Sequence, residues 1–129
     1  METPKTGPAT RPTTKQRGDA GEDRALAHLQ AAGLRLVSRN YRTPGRGGGE
    51  IDLIMRDRDG TVVFVEVRQR ASGSHGGAGA SISPFKQRRI VFAARHYLMR
   101  LVHEPPCRFD VVLLDAGQVQ WLRAAFDAG

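Results

Sequence analysis

Cysteine is almost missing from this sequence, which holds a single one, Cys107, in 129 residues. A disulfide framework needs pairs of cysteines and a Cys-rich zinc site needs several, so both are excluded. Long apolar runs are also missing, since none approaches the roughly 18 residues that span a bilayer. No charged-then-apolar leader follows Met1, so the expected compartment is the cytoplasm, with no membrane partner. Aromatic residues reach only 6%, and lysine is scarce: 17 of the 20 basic residues are arginine, and Lys86 is the one lysine beyond residue 17. Positive charge, in contrast, is abundant. The net charge of +7 and the isoelectric point near 10.7 favour a polyanionic partner such as nucleic acid.

The charge is unevenly distributed. Residues 18–67 carry seven basic side chains against eight acidic ones, whereas residues 68–108 carry eight against one. Met1 to Arg17 is rich in Pro, Thr, Lys and Arg and has almost nothing to bury against the entropy of ordering, so a disordered basic tail is expected there. Residues 18–129 are then one domain, a size that suits a single hydrophobic core.

Asp19 is placed to cap a first helix whose apolar stripe is Ala25, Leu26 and Leu29 and which ends at Gly33. Leu34 to Tyr41 reads as a strand. Thr43 to Gly49 is a glycine-rich loop lacking the Lys and Ser or Thr of a phosphate-cradling loop, so its glycines are expected to supply flexibility. Glu50 to Asp57 and Thr61 to Gln69 read as strands joined by Arg58-Asp59-Gly60 in a three-residue hairpin. Ala71 to Ala80, all Gly, Ala, Ser and one His, is expected to be a mobile loop. A second helix starts at Ser83 with Pro84 in its first turn and ends before Pro105. Its expected apolar face is Ile90, Phe92, Ala93, Ala94, Tyr97, Leu98 and Leu101. Arg108 to Leu114 and Gln118 to Leu122 complete the order αβββαββ, an α/β (α+β) fold. The helix between the third and fourth strands makes those two parallel within a mixed sheet.

A three-residue hairpin loop fixes the register of its strands. Met55 then faces Val63, Leu53 faces Val65 and Ile51 faces Val67, an apolar set that packs against a helix. On the opposite face Asp52 meets Glu66 and Glu50 meets Arg68. Two carboxylates directly opposite destabilise a sheet unless a cation lies between them or one takes a proton. Mg²⁺ is held by one or two carboxylates plus water and phosphate oxygens, and Asp52 with Glu66 supplies that set. Glu22 is a candidate third ligand. The competing reading is a solvated acidic face in which Glu50 and Arg68 form an ion pair. His28, His75, His96 and His103 show no metal-ligand spacing. Phe85, Tyr41, Tyr97 and Trp121 have the chemistry to stack on bases, although aromatics at these spacings belong more often to a core.

Gly18-Asp19-Ala20-Gly21-Glu22, Asn40-Tyr41-Arg42, Gly49-Glu50-Ile51-Asp52-Leu53-Ile54, Val63-Phe64-Val65-Glu66-Val67-Arg68, Lys86 and Arg108-Phe109-Asp110-Val111-Val112 give the sequence a family resemblance. It resembles the YraN-like family of uncharacterised bacterial proteins, which is similar to the PD-(D/E)xK nuclease superfamily and its Holliday-junction resolvases. The resemblance implies a restriction-endonuclease-like αβββαβ core with one extra C-terminal strand. It also implies Mg²⁺-dependent or Mn²⁺-dependent hydrolysis of phosphodiesters in branched or structured DNA, with Asp52 and Glu66 as ligands and Glu22 joining through water. Related resolvases are dimers, so a homodimer is a further implication.

Two positions depart from the pattern. Ile51 stands where the superfamily name has Pro, a change without chemical consequence. Arg68 stands where the family usually has Lys, and a guanidinium holds phosphate or water but does not give up its proton. Lys86 is therefore a candidate replacement for the missing amine, against the reading of a solvated helix residue. Arg70, Lys86, Arg88 and Arg89 are the expected contacts to the nucleic-acid backbone. The alternative to an active nuclease is a catalytically impaired nucleic-acid-binding protein of the same fold.

Overall fold

Apolar runs in the middle of the chain and mixed-polarity segments at its ends arrange themselves as one sheet between two helices. The computed structural model describes residues 14–70 and 82–128, in the order α1 (Thr14–Ala31), β1 (Arg35–Arg42), β2 (Glu50–Arg56), β3 (Val62–Gln69), α2 (Pro84–Leu98), β4 (Cys107–Leu114) and β5 (Val119–Phe126). The tail expected before residue 14 and the loop expected at 71–80 lie outside the described residues. The five strands lie in sequential order, and every neighbouring pair is antiparallel except β3 and β4. That parallel pair is the one joined through α2, as a crossover helix requires. The result is a mixed α/β domain with the expected αβββαβ core and one added strand. Among the described residues no helix is long and apolar enough to cross a membrane.

Each face of the sheet carries its own core. Ala25 and Leu29 of α1 pack with Leu53, Met55, Val63, Val65, Val112 and Leu114. Ile90, Ala93, Ala94 and Tyr97 of α2 pack with Ile54, Phe64, Phe109, Val111 and Leu113 on the other face. Strands covered on both faces need no polar alternation, which is why β3 and β4 contain runs of buried residues. The edge strands β1 and β5 keep a mixed pattern of exposure.

Several local expectations change. Helix α1 begins at Thr14, inside the segment expected to be tail, so Asp19 lies within the helix and does not cap it. The helix runs on through Gly18 against that residue's low propensity, which leaves Asp19 no end to cap. Ser83 does cap α2, accepting from the Lys86 amide at 3.1 Å, with Pro84 in the first turn. Phe92, assigned to the buried face of α2, is 53% exposed, whereas Val91 is buried. Ile90, Ala93, Ala94 and Tyr97 follow the three-and-four spacing of one helix face, and Phe92 falls on the other side. Leu101 packs on the core from beyond the helix end.

β5 runs to Phe126, four residues beyond its expected end, across a register shift. The reason is Asp110, a fully buried residue in β4. Its carboxylate accepts from Trp121 Nε1 at 2.9 Å, from the Ala124 amide at 2.9 Å and from Arg108 Nε at 3.1 and 3.2 Å. Ala124 takes φ +50° to present that amide, and Arg108 also reaches Asp57 at 3.1 Å. Asp110 therefore holds the sheet edge together, and Trp121 is committed to that network. Asp110→Ala leaves a half-buried guanidinium with Asp57 alone and an indole N–H and a main-chain N–H short of an acceptor, with an expected loss of about 3 kcal/mol. Urea denaturation measures it; a loss below about 1 kcal/mol would contradict this role.

Candidate active site

The hairpin between β2 and β3 follows the predicted register. Asp57 and Thr61 close it, with the Asp57 amide donating to the Thr61 carbonyl at 2.8 Å, and Gly60 has φ +92°. The ladder then pairs Arg56 with Val62, Met55 with Val63, Ile54 with Phe64 and Leu53 with Val65. There it ends. The Val67 amide donates to Asp52 Oδ2 at 2.8 Å, so a side chain occupies the place of a main-chain acceptor. Ile51, expected to share a face with Leu53 and Val67, packs in the α2-side core instead. The break in alternation at Asp52 lies beside Asn40 of β1, which has φ +52° and falls between the pairs Arg39–Leu53 and Tyr41–Ile51. Asn tolerates this left-handed conformation better than most residues.

The fork brings Asp52 and Glu66 together. Their carboxyl groups interact directly, each shifting the other's titration, and Glu66 is only 7% exposed. Burial, and then the neighbouring Asp52 charge, push the Glu66 carboxyl up to about 8. Asp52 is raised as well, chiefly by burial and against the Val67 N–H that favours its ionised form. Glu66 is therefore the member of the pair that keeps the proton.

Both helices reach this point. Gly21 lets α1 approach the ends of β3 and β4, since a Cβ there would lie 2.9 Å from Gln69 Nε2 and 3.0 Å from Leu114 Cδ1. Glu22 follows it, 3.4 Å from Arg39. Its carboxyl is raised by burial and by the Asp52 charge, so Glu22 belongs to the same electrostatic cluster. On the other side a Cβ at Gly49 would lie 2.0 Å from the Arg89 carbonyl of α2. This close seating leaves Lys86 Nζ 3.6 Å from Glu66 Oε2 and 3.8 Å from Glu50 Oε1. Glu50 also pairs with Arg42 at 3.4 Å.

Glu66, Arg68, Lys86 and Ser83 line an open cleft of about 510 Å³. Ser83 is a site neighbour that the sequence named only as a helix start, and Glu50, expected opposite Arg68, pairs with Lys86 and Arg42. Of the expected nucleic-acid contacts, Lys86 faces the carboxylates and Arg89 bonds the Gly48 carbonyl at 3.1 Å. Arg88 lines a separate groove with Val91 and Phe92, and Arg70 bonds Gln120 of β5. Among the described residues no three His, Cys, Asp or Glu side chains form a metal cage. His96 bonds the Tyr41 hydroxyl at 2.7 Å and His28 meets Trp121 edge-on; His75 lies outside the described residues.

The glycine loop, expected to supply flexibility, is tied at its ends by hydrogen bonds. The Thr43 amide donates to the Gly49 carbonyl at 3.1 Å, the Gly49 amide donates to Thr43 Oγ1 at 2.7 Å, and Arg89 holds Gly48. Close contact with α2 requires glycine at Gly49, whereas Gly45 and Gly47 have open space around them and take φ +89° and +69°.

The proton on Glu66 makes stability depend on pH. The folded chain keeps it up to about 8, whereas an unfolded glutamate releases it near 4.5. The folded state therefore binds more protons in this window, and its stability falls as pH rises through it before levelling. Urea denaturation in EDTA between pH 5 and 9 is expected to show this decline, with a shallower slope in Glu66→Gln. Equal slopes would contradict the assignment of the proton to Glu66.

A family model described as "Uncharacterised protein family UPF0102" matches residues 21–114. A UPF0102 protein of Paracidovorax citrulli is 73% identical over 123 residues, covering 95% of this chain and 91% of its own length. One of Albidiferax ferrireducens is 76% identical over 116 residues, covering 90% and 91%. One of Methylibium petroleiphilum is 66% identical over 119 residues, covering 90% and 98%. The matched span contains Glu22, Asp52, Glu66, Arg68 and Lys86. The chain belongs to the UPF0102 family, the YraN-like family that its motifs resemble.

Proposed function

We propose that this protein is a metal-dependent endonuclease that hydrolyses phosphodiesters in structured or branched DNA. The observation that carries the reading is the pairing of half-buried Asp52 with buried Glu66, whose carboxyl lines a cleft walled by Arg68 and Lys86. Two carboxylates competing for one proton are a donor set that a hard divalent cation satisfies better, and Mg²⁺ accepts as few as two. Mg²⁺ or Mn²⁺ would be held by Asp52 and Glu66, with Glu22 acting through water. When bound, the ion supplies Lewis-acid charge for the scissile phosphate and a more acidic water.

The chain's own groups do the rest. Glu66 would serve as a ligand in its ionised form, its proton released to solvent through the open cleft, and the Val67 N–H holds the Asp52 carboxylate in place. Arg68 holds a non-bridging phosphate oxygen and stays protonated throughout. Lys86 Nζ, at the same carboxylates, is the amine able to orient the attacking water. Lys86 and Arg89 extend a positive surface that binds the backbone without reading sequence, so affinity falls steeply with salt. The cytoplasm and a homodimer remain part of this reading on the sequence alone.

One observation favours a second reading. Lys86 is already held by Glu66 and Glu50, and Arg68 cannot replace an exchangeable amine, which suits a binding protein that has lost the chemistry.

Four-way junction, flap, duplex and single-stranded DNA with Mg²⁺ or Mn²⁺ separate the two. Junction or flap cleavage is expected, falling at least about a hundredfold in Glu66→Ala and in Lys86→Ala. Calorimetry is expected to lose metal binding in Asp52→Asn. Cleavage by Arg68→Lys alone selects the second reading; no metal affinity and no cleavage by either overturns the nuclease.

A further inference from the structure

A second hollow, of about 520 Å³, adjoins the cleft and is lined by Arg42, Thr43, the glycines of the 45–49 loop, Glu50, Phe85 and Arg89. Its floor is unusual because glycine backbone leaves it without side chains. The floor is also fixed, by the Thr43–Gly49 bonds and by Arg89 on Gly48. Phe85 forms a wall and is 63% exposed, whereas Tyr97 is buried in the core and Tyr41 bonds His96. Of the four aromatics with stacking chemistry, Phe85 alone combines an open ring with a place beside the carboxylates. Arg42, its side chain 72% exposed, stands at the rim. Glu50 joins the two hollows, since it lines this one and pairs with the Lys86 that lines the other.

We propose that this hollow seats one unpaired nucleotide of the strand under attack, its base stacked on Phe85 and its phosphate held by Arg42. The proposal rests on the nuclease reading and narrows its substrate to strands with an unpaired nucleotide next to the scissile phosphate. A paired base is stacked on both sides and has no free face for a side chain, whereas an unpaired base of any identity stacks on an aromatic ring. The hydrogen bonds at Thr43, Gly48 and Gly49 support this, because a slot whose edge is already held costs less ordering on binding. The carboxylate of Glu50 within the slot offers an acceptor to a base edge, while the guanidiniums meet the backbone.

Fluorescence anisotropy in EDTA tests it without cleavage. The probes are a fully paired duplex, the same duplex with a short single-stranded gap, and single-stranded DNA and RNA of equal length, and the DNA and RNA strands identify which sugar is preferred. The native chain is expected to bind gapped or single-stranded probes about tenfold more tightly than the duplex. Phe85→Ala is expected to reduce this preference to within about twofold with duplex affinity unchanged, and Phe85→Trp to keep it. A 2-aminopurine at the unpaired position is expected to be quenched by the native chain and not by Phe85→Ala. Phe85 belongs to neither core, so the variant folds, which circular dichroism verifies. An unchanged preference in Phe85→Ala, or none in the native chain, overturns the slot while leaving the nuclease standing. No affinity for any nucleic acid overturns both.

Discussion

Val67 would ordinarily give its amide proton to a carbonyl of the neighbouring strand, and here it gives it to the Asp52 carboxylate at 2.8 Å. That exchange stops the β2–β3 ladder at Leu53–Val65 and turns the strand ends into a fork. A carboxylate satisfied by a main-chain N–H stays ionised more readily when buried, and its ionisation in turn holds the proton on Glu66. The remaining features of the site answer the same electrostatic problem. Lys86 stands by Glu66 and Glu50, Arg39 by Glu22, and Arg42 by Glu50. Acidic groups are gathered at one end of the sheet, and each has a cation within reach.

Such crowding is possible because both helices lie unusually close to the strands they cover. Gly49 admits the backbone of α2, and Gly21 admits the ends of β3 and β4 to α1. In α2, Lys86, Arg89 and Ala93 are three and four residues apart and share one face. The contact that seats Arg89 and Ala93 on Gly49 thus sets the height at which Lys86 meets Glu66. The buried Asp110 network acts at the other side of the sheet, tying β4 to β5 through Trp121 and Ala124. Its carboxylate serves cohesion, while those of Asp52 and Glu66 are left to compete for a proton.

Much of this was legible in the chain. Hairpin arithmetic from Arg58-Asp59-Gly60 gives the pairs from Arg56–Val62 to Leu53–Val65, because loop length fixes register. The pairs expected beyond them, Ile51–Val67 and Glu50–Arg68, give way to the fork at which Asp52 and Glu66 meet. The crossover helix gives the parallel pair by handedness and reach alone. What escaped depends on contacts between distant segments. Asp19 looks like a cap only if Thr14-Lys15-Gln16-Arg17 is not helical, and local propensity does not decide that. Phe92 was judged by hydrophobicity where helix spacing gives the better answer. Gly49 reads as freedom because sequence shows a missing side chain and not the helix that fills its space. Ile51 left its expected face because a positive φ at Asn40 accompanies a break in the alternation that no pattern of polar and apolar residues reveals.

The difference between lysine and arginine then governs what the site is able to do. A guanidinium at position 68 supplies permanent charge and a planar array of donors, suited to holding a phosphate through every stage of a reaction. An ammonium is a compact charge whose protonation state responds to its surroundings. In a chain whose basic residues are overwhelmingly arginine, the lysine retained beyond the first turns of α1 is the one whose Nζ faces the Glu66 carboxylate. Divided in this way, the planar guanidinium lies on the strand that carries Glu66, and the compact ammonium lies on a helix anchored through Gly49. Binding and chemistry would then respond to different parts of the fold, so losing the amine and losing the guanidinium should not produce the same protein.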